Sequence, residues 1–205
     1  MKKITNKLNV NLQHFATTTM TDKDDVVLGS GDVYIMEFDG NTVPEDDVIE
    51  VNENKIGHIK GGASLEYTNE WKVVSDDMGV IIKNFLTNEN VIFRSGLLAW
   101  NGEVLEILSA TGRVTEPTTL SPYRIVKIGG RKNANGKSYV IHFVHTKDNG
   151  KKIKITIVGT SRNGFTLTFD PESETVIDAE FTAISQDNEG TLVTYKEEKE
   201  KLPAA

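Results

Sequence analysis

Apolar and polar residues alternate with a period of two along much of this chain. The clearest run is residues 63–74, where Ala63, Leu65, Tyr67, Trp71 and Val73 alternate with Ser64, Glu66, Thr68, Glu70 and Lys72. Successive strand side chains point to opposite faces, so this pattern sends the apolar set to one side of a sheet. Further apolar runs bounded by turn residues lie at 32–38, 80–86, 91–98, 123–128, 138–146, 153–158, 165–169, 176–184 and 191–195. Explicit turn chemistry separates many of them: DGN at 39–41, NANGK at 133–137, KDNGK at 147–151, SRNGF at 161–165 and QDNEG at 186–190. Short strands at this spacing predict a mainly β protein, an antiparallel β-sandwich or barrel.

One segment departs from the period of two. In residues 101–112, Val104, Leu105, Ile107, Leu108 and Thr111 recur at helical spacing, with Asn101 placed to cap the start and Gly112 to close the end. This predicts one short flanking helix at about 101–112. Residues 1–25, 41–57 and 196–205 show neither period. The expected organisation is an N-terminal arm (1–25), a single β-rich domain (26–195) and a charged C-terminal tail (196–205), with 41–57 an acidic loop.

Composition narrows the class. A chain of 205 residues suits one domain with arms. With 0 cysteines it has no disulfide, thiolate metal site or cysteine nucleophile. No apolar run approaches the length of a membrane span, and residues 1–20 lack the continuous apolar stretch of a secretory signal, so the sequence reads as a soluble protein made in a cytoplasm.

The net charge of −7 conceals an asymmetry. Between Arg113 and Arg162 lie 11 basic and 2 acidic residues, a balance of +9; the remaining 12 basic and 28 acidic residues carry −16. A basic segment can be a solvated sheet face or a nucleic-acid surface, or it can meet the acidic part of another copy in a heterologous contact that builds rings or filaments.

Candidate chemistry does not converge. Gly57, Lys60, Gly61 and Gly62 are in the wrong order for a phosphate loop and read instead as a strand entry or bulge. His142 and His145 stand three apart on a strand, hence on opposite faces, and cannot share a metal ion. The pairs Asp24–Asp25, Asp46–Asp47 and Asp76–Asp77 lack the spacing of a calcium loop, and no nucleophile elbow surrounds a serine. The reading is of a structural or binding protein rather than an enzyme, with no catalytic residues, metal or cofactor.

The order of the segments GSGDVYIMEF (29–38), IGHIKGGASLEYTNEWKVVSDDMG (56–79), FRSGLLAWNGEVLEIL (93–108), VIHFVHTKDNGKKIKITIVG (140–159) and GFTLTFDPESETVIDAEFTA (164–183) resembles the tail tube proteins, or major tail proteins, of long-tailed phages and prophages of Gram-positive bacteria. The resemblance covers about residues 25–195, and LNVNLQHFA (8–16) is similar to short openings on structural proteins of such phages. It implies a virion protein, made and assembled in the bacterial host cytoplasm. Its homo-hexameric rings would stack around a tape-measure protein and join tail-tip and tail-terminator proteins. DNA would pass through the lumen without specific binding.

On this reading the self-assembly candidates are Gly61, Gly62, Asp76, Asp77, Lys151, Lys152 and Lys154. Glu45, Asp46 and Asp47 are acidic loop candidates, with the basic segment expected at an interface matched to such loops. Reversing Lys151, Lys152 and Lys154 is expected to impair polymerisation and leave the fold intact. The alternatives are a monomeric β-sandwich binding module for a glycan or cell surface, and a DNA-binding protein using the basic patch.

Overall fold

The computed structural model describes residues 30–79, 81–115 and 122–199, with the side chains of residues 81 and 82 excepted. Residues 1–25, with the opening at 8–16 and the Asp24–Asp25 pair, lie outside the described residues.

The protein is a mainly β, antiparallel sandwich. Nine strands occur among the described residues: β1 (Asp32–Glu37), β2 (Ile59–Ser75), β3 (Ile81–Leu97), β4 (Arg113–Thr115), β5 (Ile125–Lys127), β6 (Tyr139–Thr146), β7 (Lys152–Thr160), β8 (Ile177–Ile184) and β9 (Val193–Glu197). The main sheet runs β1-β6-β7-β8-β3-β2, with β9 also on β7, while β4 and β5 form a separate pair. Strand β7 makes the corner: residues Ile153–Ile157 pair with β9, and only Val158, Gly159 and Thr160 pair with β8. The sheet thereby folds over, placing β3 opposite β6, where Phe93 and Phe143 meet with ring centroids 6.1 Å apart.

The core follows from the alternation. Val33 and Ile35 of β1, Val91, Phe93 and Leu97 of β3, Ile141 and Phe143 of β6, Ile157 of β7, and Ile177 and Phe181 of β8 are buried in one cluster. Helix α2 (Gly102–Ile107) closes an end of the sandwich with Val104, and Leu108 just beyond it is buried too. The Asn101 side chain accepts hydrogen bonds from the N–H groups of Glu103 and Val104, the expected cap. The helix is shorter than 101–112, because the chain turns through Ser109 to Gly112. A second helix, α1 (Asp46–Ile49), lies in the acidic segment, where no period announced it.

Three strand boundaries differ from expectation for physical reasons. The runs expected at 80–86 and 91–98 are joined, Ile81–Leu97 forming one strand interrupted in pattern by Asn88, Glu89 and Asn90. These lie where both sheet faces are wet, so alternation is not enforced there. Residues 165–169 do not form a strand: Phe165 and Leu167 pack on the core, Phe169 is exposed, and among the described residues no neighbouring strand supplies a ladder. Strand β9 continues to Glu197, and the Glu198 N–H donates to the Lys152 carbonyl, so the ordered sheet enters the segment read as a tail.

Candidate assembly interface

Strands β2 and β3 pair with each other over their whole lengths, from Ile59 with Leu97 to Ser75 with Ile81. Strand β8 pairs with β3 only from Ile92 to Leu97. Beyond that point the hairpin continues as a two-stranded ribbon, and among the described residues no other strand joins its edges. At about 3.3 Å per residue its outer part reaches roughly 30 Å past the last β8 pair.

The long alternating run of β2 therefore has two fates. Ala63 and Leu65 pack against the core, whereas Tyr67, Trp71 and Val73, on the same face, are 51%, 57% and 52% exposed. Leu86 lies opposite Trp71 and is exposed as well. A Thr87 bulge keeps these apolar groups on one side: the register passes from Glu70 opposite Asn88 to Trp71 opposite Leu86, and the Thr87 hydroxyl donates to the Glu70 carbonyl. Tyr67 donates to Glu89 at 2.6 Å, and the Trp71 indole N–H donates to Asn69, so the rings are held in place. The ribbon is thus a stiffened apolar stripe in continuity with the core face, and nothing among the described residues covers it.

The base of the ribbon is braced. Arg94 donates to Glu66 of β2 at 2.5 Å and to Glu180 of β8 at 2.8 Å, tying three adjacent strands together. Gly57 and the pair Gly61–Gly62 serve different needs here. A Cβ at Gly57 would collide with the Ala99 carbonyl, so the missing side chain permits close backbone approach. Gly61 and Gly62 have φ of +82° and +79° with open space where a Cβ would stand; they form the bulge between Ile59 and Ala63. At the far end, Asp76 to Gly79 make the turn, with Asp76 Oδ1 accepting from the Met78 N–H and the Gly79 N–H donating to the Asp76 carbonyl. Asp76 and Asp77 thus sit exposed at the tip of a hairpin that is paired within the chain.

The basic candidates are distributed otherwise. Lys154 contacts Glu50 at 2.5 Å and Asp46 at 3.0 Å, and Asp46 also meets Lys196 at 2.6 Å. The acidic loop is consequently clasped onto the outer face of β6, β7 and β9, over an apolar patch of Ile49, Val140 and Val158. Lys154 is a fold contact, and its reversal strikes the domain itself. Lys152 is exposed, while Lys151 lies in the β6–β7 turn, where its carbonyl accepts from the Lys147 N–H. Of the acidic loop candidates, Glu45 and Asp47 are exposed and Asp46 is half-buried in the clasp.

His142 completes the clasp from inside the sheet. It is fully buried, with Nδ1 2.8 Å from the Thr156 hydroxyl and Nε2 3.2 Å from Glu50. A carboxylate can only accept, which places the proton on Nε2 and makes Thr156 the donor to Nδ1. Burial pushes the His142 pKa down, against the opposing pull of the Glu50 hydrogen bond, so the contact is a hydrogen bond from a neutral ring. Burial also opposes the charge of Asp46 and Glu50, yet the Lys196 and Lys154 hydrogen bonds outweigh it for Asp46, and those of Lys154 and His142 for Glu50; both carboxyls stay below their ordinary range. His145, on the other face, lies 2.6 Å through Nδ1 from the Ser30 carbonyl.

The sequence alone did not single out this clasp, because its members are spread from Asp46 to Lys196; the His142–Glu50 spacing in the chain carries no periodic signal. Neither protein-family models nor curated proteins match the sequence.

Proposed function

We propose that this chain is the repeating subunit of a phage tail tube, forming stacked hexameric rings around a tape-measure protein and a channel for DNA passage into the host. The observation that supports this reading is the β2–β3 ribbon: a braced, projecting hairpin whose apolar stripe and open edges nothing among the described residues covers. Exposed strand edges template uncontrolled pairing unless something covers them, and ring closure covers every one. The acidic balance suits a conduit. Each lysine or arginine paired with phosphate adds salt-dependent affinity, whereas an acidic wall keeps the duplex moving.

The test is negative-stain electron microscopy of the full chain over a concentration series, beside light scattering after size exclusion. Rings or hollow tubes are expected. A monomer at every concentration, with and without the tape-measure partner, would overturn the reading and favour a monomeric binding module.

A further inference from the structure

The ribbon tip presents an apolar side chain beside acidic ones, and a groove on the body has apolar walls with basic side chains among its lining. Met78 is 86% exposed at the end of the longest projecting element. It is presented by the Asp76–Gly79 turn, whose Asp76 hydrogen bond and Gly79 φ of +78° define the local backbone, and Asp77 stands beside it. The tip is therefore a preorganised apolar knob with acidic neighbours.

The groove has a volume of about 380 Å³ and lies between the end of α2, residues 134–137 and the chain just after β7. Ile107, Ala110, Ala134 and Tyr139 supply apolar walls, and Arg162 and Lys137 line it too, Lys137 being ion-paired with Glu37 at 2.8 Å. Arg131 and Lys132 precede Ala134 in a short helical turn and extend the positive field. Two hydrogen bonds preform the site: the Asn135 N–H donates to the Ala110 carbonyl at 3.0 Å, and the Ser161 hydroxyl to the Leu108 carbonyl at 3.2 Å.

We propose that the Asp77–Met78 tip of one copy seats in this groove of a second copy, Met78 filling the apolar space and the acidic tip facing Arg162. This contact rests on the assembly reading above and specifies it. The argument for a second copy as occupant is that both complementary halves are carried by the same chain. Knob and groove are different surfaces, so the contact is heterologous: each copy offers one of each, and the arrangement propagates rather than closing as a twofold pair. A single small contact is weak, and repetition around a ring supplies the avidity. Opposite charges fix its register and make it salt-sensitive.

The chain has 0 cysteines, which gives a clean test. Met78→Cys and Ala110→Cys proteins, mixed under assembling conditions with a short bis-maleimide, should form a crosslinked heterodimer at least about tenfold above crosslinking of either variant alone. Asp77→Lys in the first variant should reduce that yield, and adding Arg162→Glu to the second should restore it. Equal yield when Glu189→Cys replaces Ala110→Cys, or no crosslink in proteins that still form rings, would overturn this contact and leave the assembly reading standing. Failure of the wild-type chain to assemble would overturn both.

Discussion

Lys154 stands between Glu50 and Asp46, with only 21% of its side chain exposed. In sequence it belongs to a Lys151–Lys152–Lys154 cluster; in the fold it anchors a loop more than a hundred residues away. Lys154→Glu is expected to destabilise the domain by about 1–3 kcal/mol, since it leaves two carboxylates facing a third. Lys152→Glu, at an exposed position, should stay within about 0.5 kcal/mol. Urea denaturation of the two variants checks this. The same clasp sets a pH dependence. The pKa of His142 is lowered in the fold, so the unfolded chain binds the proton more readily and stability falls as pH drops below the ordinary histidine value near 6.5. The lowered Asp46 and Glu50 values act with the same sign at more acidic pH, their contribution present above the unfolded carboxylate pKa and lost as they protonate. The urea midpoint should therefore decrease from pH 7 to pH 5, and His142→Asn should flatten that part of the profile. An unchanged slope in the variant would remove His142 from the account.

At the scale of the element, β2 and β3 each contain an anchored half and a projecting half. Phe93 is 1% exposed in the core, and Phe93→Ala should cost about 3–5 kcal/mol of domain stability. Trp71→Glu, in the projecting half, should cost less than about 1 kcal/mol and yet abolish ring or tube formation. Thermal unfolding beside electron microscopy separates the two effects. Amide exchange should divide β3 in the same way: in the unassembled chain, amides before Ile92 exchange faster than those from Ile92 to Leu97, which β8 protects, and assembly slows the first group. Uniform protection along β3 in the monomer would contradict the picture of a projecting ribbon. The alternation of residues 63–74 made β2 legible as a strand. It could not show that Leu65 is covered and Trp71 is not, because the same period holds whether or not another layer lies above it.

Across the whole molecule, four of the 11 cations of the basic middle segment meet carboxylates within the chain. Lys137 meets Glu37, Lys147 meets Glu197, Arg124 meets Glu103, and Lys154 meets Glu50. Local pairing of this kind leaves less of the segment's charge for phosphate, so duplex DNA should bind assembled protein weakly at physiological salt, as filter binding over a salt series would show. Tight binding with a steep salt slope would favour the basic-patch alternative. What the sequence determined by itself was the β class, most strand positions, the Asn101 cap and several turns, since these depend on side-chain period and on residues that accept particular backbone angles. His142 and His145 fall on opposite faces for the same local reason. The tertiary structure alone decided that β7 is shared between two neighbours, that Asp46 and Glu50 close over Lys154 and His142, and that half of one hairpin leaves the body. Those outcomes depend on which distant segments meet, and one chain's local pattern contains no term for the partner across the sheet.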